Sequence, residues 1–227
     1  MRSKGGEGVM LGEKEIIELE AMLGHEYKKK ELLVNAVTHS SFANIKNMKS
    51  NERLEFLGDS LLSAIISEKI YFDMDYEEGD LSKLRSRIVS MQPLAEIADR
   101  TGISSYLQYV GNLTDNMKAD MMEAIIASIY LDSGATETRK FISRMFGETV
   151  KSMEKLTVLA DSKSHLQELF SDAEIKYLTK KSGADHSPTF VATVVVNGEK
   201  CGKGQGSTKK EAEKKAAAEA IKNLVKV

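Results

Sequence analysis

The sequence predicts a two-part chain: an all-α domain followed by a small α-β-β-β-α unit. Three observations predict it. Apolar residues recur with helical period from Ile16 to about Met153. Beyond residue 160 three short candidate strands appear, and Asn197-Gly198 between the last two is a strong hairpin signal, since both residue types tolerate positive φ. The charge also divides. Residues 161–227 hold 12 Lys, no Arg and 9 acids, a net of +3, whereas the remainder carries −5 and the whole chain −2.

The helical elements follow in order. Apolar periodicity marks Ile16–Leu23, Leu32–Val37, Glu52–Phe72, Leu81–Asp99, Met117–Asp132 and Arg139–Met153, separated by polar or Gly-containing loops. Asn51 can cap the third, and Gly134 is a plausible stop for the fifth. Segment 43–50 is polar, with two Asn and two Lys, and reads as a loop. The helical domain is placed at 13–155, a short linker at 156–160 and the second unit at 161–227. In that unit the order is helix Lys163–Asp172, strands Lys176–Lys181, Thr189–Val196 and Cys201–Gly206, then helix Lys209–Val225. Ala212, Ala216, Ala217 and Ala220 give the last helix a small-residue face for close packing on a sheet.

Composition excludes several classes. The chain of 227 residues is 41% hydrophobic, enough for a core in each part. No apolar run reaches the roughly 18 residues of a membrane span. Residues 1–12 are Gly-rich and polar, read as a flexible lead without a signal peptide. The single Cys201 excludes an internal disulfide and fits a reducing cytoplasm. One Cys and four His argue against structural zinc.

The stretch Asn51-Glu-Arg-Leu-Glu-Phe-Leu-Gly-Asp-Ser-Leu-Leu62 is chemically the most informative. Glu52, Glu55 and Asp59 fall at spacings of three and four, one face of a helix. Like charges so placed repel, and a hard divalent cation turns that repulsion into coordination. A solvated acidic face is the alternative. Gly58 costs the helix roughly 1 kcal/mol relative to Ala, which suggests that a neighbour packs close there. A second acidic pair, Asp120 and Glu123, lies on a helix rich in Met and Ile. Acids in such a setting are paired, coordinated or at a cleft; a salt bridge remains the competing reading.

These residues carry a resemblance. Asn51–Leu62 resembles the signature segment of the ribonuclease III family, endonucleases of double-stranded RNA. Ala36-Val-Thr-His-Ser-Ser41, Glu78-Gly-Asp-Leu-Ser-Lys-Leu-Arg85 and Ala119-Asp-Met-Met-Glu-Ala124 resemble further segments of it, in order, over roughly residues 15–150. The α-β-β-β-α unit resembles the double-stranded RNA-binding domain, on Gly204-Gln-Gly-Ser-Thr-Lys-Lys210 leading into the last helix. Lysines in a helix's first turn oppose its dipole, whereas phosphate favours that position.

The resemblance implies the rest. Glu55, Asp59, Asp120 and Glu123 are the implied catalytic acids, with Glu55, Asp120 and Glu123 as metal ligands and Glu52 and Glu78 as supporting acids. The cofactor is Mg²⁺, for which Mn²⁺ substitutes, with one or two ions per site. Gln167, His186, Lys209 and Lys210 are the implied RNA contacts. Phe56 is implied to insert into the partner of a homodimer; an ordinary core Phe is the alternative. The implied reaction hydrolyses both strands of a duplex, leaving 5′-phosphate and 3′-hydroxyl ends with short 3′ overhangs, in the processing of ribosomal and other structured RNAs. Glu213 departs from the pattern, standing where many RNA-binding units of this kind have a third lysine, which should weaken phosphate contact. A Pro near Tyr177 is also missing. Two rival functions are a duplex-RNA-binding protein without activity, disfavoured by the complete acid set, and a helical metal-dependent nucleotide hydrolase, which needs no RNA-binding unit. The absence of Trp and of a stacking platform disfavours a single-strand nuclease.

Overall fold

The computed structural model describes residues 10–182 and 188–224, with the backbone alone over 154–161. Residues 1–9 of the expected lead, and His186, lie outside the described residues. The chain divides into two compact units between Lys151 and Ser152.

The first unit is helical: α1 (Glu13–Leu23), α2 (Lys30–Ala36), α3 (Ser40–Lys46), α4 (Glu52–Asp73), α5 (Glu78–Ile88), α6 (Met91–Thr101), a 3₁₀ turn (Ile103–Tyr106), α7 (Asp115–Ser133) and the start of α8 (Ala135–Leu169). The helix at its centre is α7. It buries Met117, Ala119, Met121, Met122 and every residue from Ala124 to Ile129, so it is apolar on nearly all sides, as a core helix must be. Against it packs α4, which buries Leu54, Gly58, Leu62, Ile65, Ile66 and Ile70. The close neighbour expected at Gly58 is the backbone of α7. A Cβ at position 58 would overlap the carbonyl of Glu123 and come within 3.0 Å of its Cα.

Several polar groups buried in this unit are tied off, although Asn51 Nδ2 is buried without a partner. Tyr27 Oη and Ser128 Oγ lie 2.6 Å apart. Asp132 accepts the backbone N–H groups of Lys28 and Lys29 and meets His25 Nε2 at 3.0 Å. An isolated bridge joins Thr38 to Gln108, whose side-chain amide donates to Thr38 Oγ1 at 2.9 Å.

Several expected boundaries move, each for a physical reason. The helix expected over Leu81–Asp99 is two, because Ser90 is extended (φ −74°, ψ 161°) and Pro93 falls in the first turn of α6. A Pro there loses no hydrogen bond, whereas in a continuous helix it would lose one and clash. The polar segment 43–50 contributes to α3, capped by His39 Nδ1 accepting from the N–H of Ser41 and burying Phe42 and Ala43. Asn51 does not cap α4 with its side chain; it is itself helical in φ and ψ and buried, and its N–H donates to the Thr38 carbonyl at 2.8 Å. Residues 156–160 are helical rather than a loop, since 148–169 contains neither Gly nor Pro to stop α8.

The second unit comprises the end of α8, the strands β1 (Ile175–Ser182), β2 (Thr189–Val196) and β3 (Glu199–Gly206), and α9 (Lys209–Leu224). The sheet is antiparallel in the order β1-β2-β3. Asn197 (φ 49°) and Gly198 (φ 88°) form its second hairpin turn. Ala212, Ala216, Ala217 and Ala220 are fully buried with Leu166, Ala192 and Val194. The small-residue face of α9 meets glycines of β3: a Cβ at Gly204 would overlap the Ala212 carbonyl.

Gly58→Ala tests the α4–α7 contact. Helix propensity favours Ala by about 1 kcal/mol, and overpacking costs about 1–3 kcal/mol. A backbone target cannot move aside as a side chain can, so the variant is expected to unfold at lower urea concentration. Unchanged or raised stability would mean that the two helices are not in this contact.

Candidate metal centre and RNA-binding unit

The α4–α7 contact brings acids of both helices together. Glu55 from α4 and Asp120 and Glu123 from α7 each offer a carboxylate oxygen, all within 4.8 Å of one another. All three are partly buried. Their helices put them there for opposite reasons. Glu55 sits at the rim of the apolar face of α4, beside buried Leu54 and Gly58; Asp120 and Glu123 interrupt the otherwise buried surface of α7. Asn116, one turn before Asp120, donates from Nδ2 to Asp120 Oδ2 at 2.9 Å and fixes that carboxylate.

The remaining acids on which the sequence focuses attention lie around this group or apart from it. Asp59 is exposed and adds negative charge near Glu55 and Glu123. Glu52 is exposed, accepts from Ser50 Oγ at 2.9 Å, and adds charge near Glu55. Glu78, exposed in the first turn of α5, accepts from Ser82 Oγ at 2.8 Å and is not among the three clustered ligands.

Two neighbours carry roles that sequence reasoning did not assign. Asn116 was legible only as a polar residue four before an acid. His39 faces Glu52 and Glu55, and its tautomer is set by its surroundings. Nδ1 accepts the Ser41 N–H at 3.2 Å and lies 2.9 Å from Ser41 Oγ, which itself accepts from the Val110 N–H. The Ser41 hydroxyl proton is therefore free to point at Nδ1, leaving the neutral ring its proton on Nε2. Burial lowers the His39 pKa despite the two carboxylates.

Electrostatics set this group apart. Burial raises Glu123 to about 8, with Asp59, Asp120 and Glu55 adding repulsion. Burial likewise raises Glu55, reinforced by Asp120 and Glu52, and it raises Asp120. Among the described residues, His39 is the one cationic group that offsets any of these shifts, and only at Glu55. Carboxylate oxygens at this spacing suit a hard divalent ion, which would replace the proton that Glu123 otherwise retains at neutral pH.

In the second unit, Lys209 and Lys210 are the first two residues of α9 and are exposed. Thr208 Oγ1 accepts the Glu211 N–H at 3.1 Å and caps the helix. Gln167 is exposed near the end of α8. Glu213 does not join the exposed surface of Lys209 and Lys210: it is 9% exposed and turned toward Lys163 and Thr179. The third lysine of that row is absent, and Lys209 Nζ stands 3.9 Å from the Glu213 carboxylate.

Comparison with known proteins decides the family. Residues 29–152 match the ribonuclease-III-like family, and 162–224 match the double-stranded RNA binding motif. Ribonuclease 3 of Caldanaerobacter subterraneus is 42% identical over 91% of this chain and 96% of its own length. The chain belongs to the ribonuclease III family of endoribonucleases. Ribonuclease 3 of Thermobifida fusca is 37% identical, covering 96% of this chain and 95% of its own length. Among solved structures, the nuclease domain of ribonuclease III from Campylobacter jejuni superposes with a TM-score of 0.54 at 34% identity, covering 60% of this chain and 96% of that domain. A second structure of that domain describes flexibility in a region involved in its dimer formation. The ribonuclease III match and the RNA-binding match fall on the helical unit and the α-β-β-β-α unit respectively. Among the described residues no helix is long and apolar enough to cross a membrane.

The Glu123 shift has a signed consequence for stability. Its folded pKa of about 8 lies above the ordinary value of 4.5. Between these values the folded state holds a proton that the unfolded chain has lost, so metal-free stability falls as pH rises through this window. Glu123→Gln removes the penalty. Its thermal midpoint in EDTA is expected to exceed wild type by a clearly larger margin at pH 8.5 than at pH 5. Equal margins at both pH values would refute the shift.

Proposed function

We propose that this chain is a Mg²⁺-dependent ribonuclease III that hydrolyses both strands of duplex RNA, working as a homodimer in the cytoplasm. The observation that carries the reading is the convergence of Glu55, Asp120 and Glu123 within 4.8 Å, in a chain that also carries the double-stranded RNA binding motif.

Glu55, Asp120 and Glu123 are the residues that would hold the ion. A bound divalent cation supplies water activation and neutralises charge developing on the phosphate and the departing oxygen. The chain's own residues set the conditions for that chemistry. The partly buried walls of α4 and α7 lower the local dielectric, which strengthens charge interactions inside the site. Asn116 holds Asp120 in one orientation. Asp59, the fourth catalytic acid of this reading, sits with Glu52 at the exposed margin, and Glu52 and Glu78 serve as supporting acids, in strand placement or outer-shell roles. Mn²⁺, another oxygen-seeking divalent ion, would substitute. The products are short duplexes with 5′-phosphate and 3′-hydroxyl ends and 3′ overhangs, and the substrates include precursors of ribosomal RNA.

The small unit delivers the duplex. A-form RNA offers a wide minor groove with 2′-hydroxyls, read by shape more than by sequence. Gln167 on α8 and Lys209 and Lys210 at the start of α9 are the contacts, the lysines giving the salt-dependent share; His186 is proposed as a minor-groove contact on the resemblance alone.

Support for the dimer comes from Phe56. It is 78% exposed on α4, between the acids Glu55 and Asp59, so it is not an ordinary core residue. A large apolar side chain so exposed marks an interaction site when it has company, and Tyr71 and Phe72 are exposed at the other end of the same helix.

The central experiment compares wild type with Glu123→Ala on long mixed-sequence duplex RNA, in Mg²⁺ and in EDTA, with binding followed in parallel. Cutting to short duplexes in Mg²⁺ alone, reduced by about three or more orders of magnitude in the variant while binding persists, is the expected outcome. Binding without cutting in any divalent metal would replace the nuclease with a duplex-RNA chaperone. For the dimer, Phe56→Asp is expected to sediment as a monomer and cut poorly. A fully active dimer would remove Phe56 from the interface.

A further inference from the structure

Glu213 is the only buried acid of the second unit among the described residues. Its Oε2 accepts a hydrogen bond from Lys163 Nζ at 2.8 Å, and its Oε1 accepts one from Thr179 Oγ1 at 3.2 Å. Lys209 Nζ stands 3.9 Å from Oε1. The Lys163 ammonium also lies 4.4 Å from the centroid of the Tyr177 ring, a cation–π contact. One carboxylate thus joins α8, β1 and α9. Beside it Ser162 Oγ donates to the Lys214 carbonyl at 2.7 Å, a second polar link between the two helices.

The position of this pair matters more than its charge. Among the described residues, the buried apolar side chain that α8 gives to this core is Leu166, with Phe170 just beyond the helix partly buried, and it meets a face of α9 built from Ala212, Ala216, Ala217 and Ala220. Alanine methyls make a smooth surface that tolerates sliding. Directional hydrogen bonds to a buried carboxylate do not, and fixing register is the best-attested use of a buried polar or ionic group. Gln167 follows Lys163 by one helical turn, and Lys209 precedes Glu213 by one turn. Each end of the pair is therefore one turn from a residue proposed above to contact RNA. Duplex recognition needs those contacts at a fixed span, because successive grooves of A-form RNA are rigidly spaced.

We propose that the Lys163–Glu213 pair is a positioning device for duplex-RNA recognition, setting the face of α8 that carries Gln167 in register with the start of α9 that carries Lys209 and Lys210. The proposal rests on the reading of Gln167, Lys209 and Lys210 as the RNA-contacting residues. Glu213 does not touch RNA; it acts through the lysine and the helix it holds. Its pKa lies below the usual carboxylate range: burial works against ionisation, and the Lys163 hydrogen bond and charge outweigh it, so the pair is ionised at neutral pH. An outward-facing lysine at this position would add a phosphate contact and lose the tether.

The test uses the full chain in EDTA with a long duplex RNA, measuring affinity across a series of KCl concentrations. Glu213→Gln and Lys163→Gln each break the pair from one side with little change in shape. Each is expected to weaken binding about tenfold with the salt slope unchanged, and the double variant to be no weaker than either single, since the two act as a unit. In Mg²⁺ the half-saturating RNA concentration should rise by the same factor while kcat stays unchanged, a split that general loss of folding would not produce. If Glu213→Gln melts the unit, Lys163→Gln carries the same test, its side chain being 39% exposed. Tighter binding by Glu213→Gln, with a slope steeper by about one, would overturn the proposal in favour of simple charge repulsion. Singles without effect, or losses that add in the double variant, would overturn it as well. A Lys209→Ala/Lys210→Ala variant separates the two levels: if its affinity and slope match wild type, the reading of the RNA surface fails, whatever Glu213 does.

Discussion

The site depends on how closely two helix backbones approach. Acids three or four apart on one helix share a face, but one helix cannot surround an ion. A second helix must supply ligands from the opposite side, within carboxylate reach. With ordinary side chains at the crossing, helix axes lie about 8–10 Å apart. Gly58 removes the side chain from α4 at the point facing Glu123, and Ala119 and Ala124 keep the surrounding surface of α7 low. Glu55, three residues before Gly58, then converges with Asp120 and Glu123. The glycine's cost in helix propensity is small against what that geometry supplies.

A comparison inside the same unit distinguishes the cluster from an acid whose charge the protein balances itself. The side chain of Asp132 has no exposed surface, yet its pKa is lowered. Burial opposes ionisation there, but the N–H groups of Lys29 and Lys28, the Ser133 hydroxyl and His25 outweigh it. Asp132 is an acid whose partners the protein provides. Glu123 is partly buried among further carboxylates and is raised to about 8. A fold shaped by stability alone resolves such a conflict with a lysine or by exposing the acid. Lysines of this unit are used elsewhere, Lys118 for example bonding Asp99 and Asp115 from the outer side of α7. The unbalanced charge is the property that draws a divalent ion.

Much of this was legible in the sequence, and the reasons for the misses are specific. The long helices α4 and α7 announce themselves by periodicity, the hairpin at Asn197-Gly198 by its demand for positive φ, and the close approach at Gly58 by a glycine no helix would choose. The three clustered acids could be named because their spacing and the family resemblance pointed the same way. The break between α5 and α6 was hidden because Leu81, Leu84, Ile88, Met91, Ala95 and Ala98 keep spacings of three and four across it; the informative residue was Pro93. The short helix α3 escaped because it buries little beyond Phe42 and Ala43, and its cap is a histidine ring rather than Ser, Thr, Asp or Asn. His39 had no signature, since it faces acids of another helix, and Asn116 showed only as a polar residue one turn before an acid.

Glu213 illustrates a more general limit of reading residues by their identity at a motif position. Beside Lys209 and Lys210 in the sequence, an acid reads as a lost phosphate contact. Spacing does not decide this: residues four apart share a helix face, and what turns the Glu213 carboxylate inward is its bonding to Lys163 and Thr179. Lys209 and Lys210 begin α9, where free N–H groups and the helix dipole favour phosphate. Glu213 is a full turn further in, next to buried Ala212 and Ala216, and faces Lys163 and Thr179. The sign of a residue's effect on binding is set by where its helix turns it. Glu213 still draws on the positive charge around it: Lys163, stacked against Tyr177, is its main partner, and Lys209 stands 3.9 Å away.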